Sequence, residues 1–255
     1  MIDWTILSED SGSIAARSKD HAIDVVFPRR ALTLSTRTVS GMDKFLIDKA
    51  FDYVVIDRFK GDEPFWNSKQ VDEILQKRRR QIASRSAYLI TGGRGNVDLT
   101  APGTRLLAFC SRTPIAPTWA FWCLRVPTFE DACLLGLWWN STFMLQQLLD
   151  VRTEVRGSRM WFGKSPLLQV PVLNPKILGK EARSGLLNTF HKVSSVSFPS
   201  LLEQVRDGFE GRILIDSELA RSLKISGFDD PARLRVLYAS VFEKLDRLRM
   251  MMTRD

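Results

Sequence analysis

The stretch Ala132–Leu149 reads ACLLGLWWNSTFMLQQLL: eighteen residues without a charge, with Asn140, Ser141 and Thr142 set at its middle. A membrane-spanning helix needs roughly 20 mainly apolar residues. Inside lipid, the side chains of Asn140, Ser141, Thr142, Gln146 and Gln147 would all have to find hydrogen-bond partners. The flanks are acidic (Glu130, Asp131 and Asp150) and lack the basic anchors of an interfacial helix end. Those acids fit a helix start instead. Thr128 to Asp131 has the form of a capping box, with Thr128 as N-cap and acids at the positive end of the helix dipole. The segment therefore reads as one long helix, buried on most sides of a soluble protein. Its central polar residues are expected to hydrogen-bond to neighbouring segments. Asn140 to Thr142 also spells a glycosylation sequon, but without a secretion signal that reading is set aside.

Composition agrees with a folded, basic protein. The 255 residues are 44% hydrophobic and 26% charged, with a net charge of +8 and a pI near 9.6. Such a length buries a full core, and such a balance argues against long disorder. The excess charge is uneven. Residues 1–60 carry 9 basic and 9 acidic residues, residues 61–175 carry 14 and 9, and residues 176–255 carry 14 and 11. The middle third is the expected electrostatic footprint for an acidic partner such as nucleic acid.

Cys110, Cys123 and Cys133 stand in apolar settings without a CxxC spacing. They read as buried thiols of a reducing compartment, the cytoplasm, rather than a disulfide frame or zinc site. With only His21 and His191 besides, no metal site is expected. The N-terminal stretch has early acids and no apolar h-region, so a signal peptide is not expected. It opens as if cut from a longer chain.

Around the central helix, Arg105–Ser111 and Trp119–Val126 read as buried strands, joined by a linker with two prolines. A short apolar strand ending in Pro171 and Pro175 is expected after a basic turn at Gly157. Asn67–Gln81 has the polar start and cationic end of a helix. Ser86–Thr100 reads as a strand entering a glycine-rich loop. Strand-like stretches also occur over Ala22–Gly41 and Phe51–Phe59. From Lys180 onward the pattern turns helical. Asp230 and Pro231 start the last helix as N-cap and N1, with Leu234, Leu237, Val241, Leu245 and Leu248 as its apolar stripe. The fold class is α+β: a mixed, largely antiparallel strand-rich core over residues 1–178 with the long buried helix, then a helical region over 179–255.

These segments carry a resemblance. LTAPGTRLLAFCS and PTWAFWCLRV, followed by LLGLWWNSTF, a basic glycine-containing turn and LLQVPVLNP, resemble the target-recognition region of N6-adenine DNA methyltransferases of bacterial and archaeal defence systems. In that family a helix of Leu-Trp-Leu-Asn-Ser-Thr type follows the strands, and a strand of Pro-Val-Pro type closes the unit. The tail RILIDSELARSLKISG (Arg212–Gly227) resembles the family's ending, an Arg…Asp pair before a short helix and turn. The resemblance covers about Leu32 to Met250 and is best over Ser86–Pro175. It implies a DNA-specificity role beside a methyltransferase catalytic domain or subunit, in restriction-modification or related phage defence. It does not make Asn140, Ser141 and Thr142 catalytic.

The methylating machinery itself is not expected in this chain. Flipped-adenine chemistry needs an Asn/Asp-Pro-Pro-Tyr/Phe tetrapeptide, with an aromatic ring to stack on the extruded base. Asn174, Pro175 and Lys176 lack the second proline and the aromatic. Thr91–Asn96 (TGGRGN) is glycine-rich without the Gly-x-Gly-x-x-Gly spacing of a nucleotide cradle. Asp57, Asp62 and Glu63 read as a solvated acidic loop rather than a nuclease centre. Neither catalytic residues nor a bound cofactor are expected, and S-adenosylmethionine would belong to the associated methyltransferase. A standalone enzyme is disfavoured on the same grounds.

The expected DNA contacts are basic residues at strand exits and turns. Arg94 and Asn96 sit among glycines, where arginine forks onto guanine and asparagine onto adenine. The bland alternative is a solvent turn using glycine for positive φ. Arg152, Arg156, Arg159 and Lys164 flank Gly157 and Trp161 in what reads as a flexible basic loop suited to phosphates and a base edge. In the run Lys77–Arg80, Arg79 is assigned to phosphates or plain solvation. Arg37 and Arg112 are candidates at strand ends. Trp119, Trp122, Trp138 and Trp139 read as core. The alternative to DNA recognition is a protein-interaction module, its C-terminal helices docking a partner and its basic face incidental.

Overall fold

The computed structural model describes residues 4–9, 13–18, 24–28, 33–34, 42–47, 86–92, 97–98, 103–117, 121–151, 154–156, 159–161, 164–228 and 230–252, together with Glu73, Gln76, Lys77, Arg80 and Ser84. The fold is α+β, as the sequence predicts. An antiparallel meander comes first: β1 (Trp4–Glu9), β2 (Ser13–Ser18) and β3 (Asp24–Pro28) pair in chain order. The first two of these strands carry no signal that the sequence reading used. The central sheet has the order β4 (Thr33–Leu34), β7 (Ala108–Pro117), β5 (Ala87–Gly92), β8 (Phe121–Leu124). In it β5 runs antiparallel to both neighbours and β4 parallel to β7. A smaller ribbon joins β6 (Val97–Asp98), β10 (Arg159–Trp161) and β9 (Glu154–Arg156).

Strand β7 runs past the expected end at Ser111 and through both prolines of the anticipated linker. Leu89 pairs with Cys110, while Ala87, two residues earlier on β5, pairs with Ile115. Ser111 to Pro114 are thus looped out of the ladder, and Arg112, Thr113 and Pro114 are exposed. A proline that cannot donate to the ladder is tolerated at such an irregularity. Phe45 and Ile47 brace the next position, Cys110, by backbone bonds of 2.8 Å each.

Eight residues of the first helix, from Ala132 to Trp139, are buried, and so is Asp131, as the charge-free stretch predicts. The helix α1 (Phe129–Trp139) starts as expected, with Thr128 Oγ1 accepting from the Asp131 N–H at 3.1 Å. The single long helix, however, is two. The second, α2 (Thr142–Val151), begins after a break at Asn140 and Ser141. The reason is local hydrogen bonding. Asn140 spends its amide on β7: Oδ1 accepts from the N–H groups of Leu107 and Ala108, and Nδ2 donates to the Ala108 carbonyl at 2.8 Å. Ser141 then starts α2 by accepting from the Met144 N–H at 3.2 Å, as an N-cap does.

The anticipated closing strand near Pro171 is also absent. After α3 (Lys164–Leu167), residues 168–174 form a turn and an unpaired extended run, followed by a 3₁₀ turn at Pro175–Ile177. Pro171 and Pro175 supply no N–H groups for a ladder. Val170 and Leu173 instead anchor the run by burying their side chains.

The helices α4 (Lys180–Val193), α5 (Leu201–Arg206), α6 (Glu210–Ser222) and α7 (Pro231–Met252) complete the chain. Asp230 caps α7 as predicted, accepting from the Ala232 N–H at 2.9 Å. Leu234, Val241, Leu245 and Leu248 are buried, Leu237 is half-buried, and Tyr238 joins the stripe. One hydrophobic cluster takes residues from Phe45 to Leu248, drawing on both sides of position 178. Trp138 and Trp139 belong to it and Trp122 is half-buried, while Trp119 lies outside the described residues. Cys110 and Cys133 are buried and Cys123 is half-buried, less than expected. Among the described residues no helix is long and apolar enough to cross a membrane.

A buried polar chain ties the helices to the sheet. Gln204 of α5 donates to the carbonyls of Arg105 and Pro199 and accepts twice from the Arg212 guanidinium, at 3.0 and 2.7 Å. Arg212 also donates to the Thr142 hydroxyl, the Thr142 N–H donates to Asp216, and the Tyr238 hydroxyl donates to the other oxygen of Asp216. Burial pushes the Asp216 carboxyl up and the Arg212 guanidinium down, while each charge opposes the shift of the other. Removing either charge would leave the other buried without its counter-charge, which is destabilising.

Helix α1 lies against β5 and β7 so closely that a Cβ on Gly136 would stand 2.8 Å from Cys110 Sγ. Gly136→Ala is expected to destabilise the protein by about 1–3 kcal/mol. Combining it with Cys110→Ala should cost less than the sum of the two, by at least about 0.5 kcal/mol. Urea unfolding of both single variants and the double variant measures this, and strict additivity would show that the contact is not what excludes a larger residue.

Candidate nucleic-acid interface

The ribbon brings together two segments that are far apart in sequence. Strand β6 directly follows Gly93–Asn96, and β9 and β10 flank Gly157 and Ser158. Met160 pairs with Val97 on one side and Val155 on the other. Arg159 pairs with Asp98 and with Arg156. Asp98, Arg159 and Arg156 therefore stand in one row across three strands, at the usual inter-strand spacing of about 4.8 Å. The major groove of B-DNA admits a two-stranded β-ribbon, and β9 with β10 forms such a pair. Strand β9 rests against α7, so the ribbon is held from behind by a helix of the core.

The other candidates are dispersed. Arg112 is exposed at the looped-out part of β7, with its guanidinium 5.6 Å from the centre of the Phe129 ring. Stacking of this kind leaves the in-plane N–H groups at the edge for other partners. Lys164 is the first residue of α3. Arg37, Arg79, Arg94, Asn96 and Arg152 lie outside the described residues. Lys77 and Arg80, neighbours of Arg79 in the basic run, are helical and exposed. With Glu73, Gln76 and Ser84 they line an open depression of about 560 Å³. An acid among these cations makes that face mixed rather than uniformly positive.

Three features of the structure escape sequence reading. Asp98 looks like an ordinary loop acid until β6 pairs with β10. The buried chain through Gln204 and Tyr238 is hinted at only by Arg212 and Asp216, two opposite charges four residues apart on one helix. Arg183 of α4 was likewise unread, and it clamps the start of α1 by pairing with Asp131 at 2.9 Å and Glu130 at 3.0 Å. Cys110 offers no reactive thiol, since burial pushes its pKa well up.

No family model matches the chain, and no curated protein matches it. Among solved structures it matches the type IIG restriction endonuclease BpuSI at 13% identity with a TM-score of 0.49. The match covers 72% of this chain and 19% of that one, so the chain spans about a fifth of that enzyme's length.

Like charges placed directly opposite across a ladder repel, and Arg156 faces Arg159 in this way. Arg156→Ala is therefore expected not to destabilise the fold, and to raise its stability by a few tenths of a kcal/mol at low salt. A denaturant titration reads the change. A loss above about 1 kcal/mol would assign Arg156 a structural role instead.

Proposed function

We propose that the chain is a target-recognition unit for duplex DNA, related to restriction-modification or similar phage-defence systems. In this reading it reads a short sequence for an adenine-N6 methyltransferase present as another domain or as a partner subunit in the cytoplasm. The chain itself is not the enzyme. The observation that carries the reading is the pairing of β6 with β10, which sets Val97 and Asp98, just after Arg94 and Asn96 in sequence, beside Met160 and Arg159 of the Arg152–Lys164 stretch. These are the two regions whose residue types suit base edges, and they lie in the third of the chain with the largest cationic excess. The resemblance of Ser86–Pro175 to methyltransferase target-recognition regions points the same way.

Duplex DNA binding should weaken steeply as salt rises, because phosphate contacts release counterions. Arg156→Ala and Arg159→Ala should narrow the gap between a selected target and random DNA by roughly 1–3 kcal/mol. Arg79→Ala should weaken both alike and flatten the salt slope by about one unit. A competition titration on folded variants decides. If Arg79→Ala erased discrimination while both ribbon variants kept it, the reading surface would lie on the helix.

S-adenosylmethionine should not bind the chain alone, since the cradle and the flipped-base tetrapeptide are missing from its sequence. Calorimetry detecting micromolar binding would overturn this part of the proposal.

The second reading, a protein-docking module, draws on the exposed Val236, Met250 and Met251 of α7. Failure to bind any duplex at low salt would favour it.

A further inference from the structure

Asp98 is an acid in a row that otherwise holds two arginines, on a ribbon assigned above to DNA. An acid repels phosphate and weakens any surface that serves only to grip the backbone. The pairing of Asp98 with Arg159, and of Arg159 with Arg156, has two physical readings. In the first, the carboxylate merely offsets the repulsion between the facing arginines, as opposite charges across a ladder do. In the second, it is a recognition group. Acidic side chains accept from the exocyclic amine of cytosine in the major groove, where arginine forks onto guanine O6 and N7. The register thus places arginine and aspartate at neighbouring positions of one ladder row, one a donor residue and the other an acceptor.

Resting on the DNA-recognition reading, we propose that Asp98, Arg159 and Arg156 are the base-reading row of the ribbon, with the arginines taking guanine and Asp98 accepting from the N4 amine of cytosine. The row selects a target that contains neighbouring G·C pairs. It also rejects sequence-independent seating, because a phosphate brought to Asp98 meets a like charge. Asp98 is in this sense a specificity residue whose removal should tighten binding to the wrong DNA.

The test uses the full chain and a pool of duplexes randomised over the target. Selection by the wild-type protein should return sites with adjacent G·C pairs. Asp98→Asn should lose about tenfold in discrimination at one cytosine position, while its affinity for random duplex rises. Arg159→Lys keeps the charge and loses the bidentate fork, so random binding should hold while preference for one guanine falls about tenfold. Thermal unfolding checks the variants, and Asp98→Glu, which keeps the acid, provides a second route should Asp98→Asn fail to fold: it should keep random-duplex affinity at the wild-type level. Selected sites without G·C pairs would overturn the proposal. So would Asp98→Asn retaining wild-type discrimination, the outcome expected of an acid that only screens the arginines. Both of these results leave DNA recognition standing. A wild-type chain that binds no duplex would fail the DNA reading itself, and this inference with it.

Discussion

The interruption at Asn140 and Ser141 is the point on which the rest of the structure depends. A helix buried on every side has no solvent to satisfy its ends, so each freed backbone group needs a protein partner. Here both sides of the break are used. Asn140 turns its amide to β7 and also donates to the Gly136 carbonyl. Thr142, two residues on, joins Asp216 through its N–H and Arg212 through its hydroxyl. Two residues, one on either side of Ser141, thereby attach the sheet to the C-terminal helices. Without the break, α1 and α2 would form one rod with no polar groups to offer either neighbour.

The buried charges follow from the same constraint. Arg212 and Asp216 are taken fully out of water, which is costly for each alone. Their partners compensate with directional bonds from three other elements, so the network fixes how α5, α6, α7 and α2 meet. Apolar packing alone tolerates sliding, whereas a guanidinium holding a glutamine oxygen and a threonine hydroxyl does not. The ribbon inherits this definition through α7, which supplies Tyr238 to the network and support to β9.

Much of this was legible in the sequence where the cause is local. The caps at Thr128 and Asp230, the burial of α1 and the stripe on α7 follow from patterns within a few residues. What was misread depends on distant partners. The helix break at Asn140 answers to a strand more than thirty residues earlier, and Thr142 answers to Asp216 across 74 residues. The passage of β7 through Pro114 relies on a looped-out register set by β5, and the run at Pro171 is held by burial rather than pairing. In the candidate site, the cations around Gly157 are legible as a basic loop, but not that the chain on either side of it pairs as β9 and β10 instead of staying a flexible loop. That β6 would lie against it, bringing Asp98 into the row, is a long-range pairing that no local pattern encodes.

The ribbon strands are only three, three and two residues long, against ten for β7. So few ladder bonds hold them that opening the ribbon costs far less than unfolding the core. Amide protons in α1 and in the paired part of β7 are then expected to exchange with solvent only through rare global events, and those of the ribbon through frequent local ones. The molecule is thus kinetically graded, a slow-exchanging body carrying a fast-exchanging edge. Such an edge can adjust its strands without disturbing the buried charges that hold the body together.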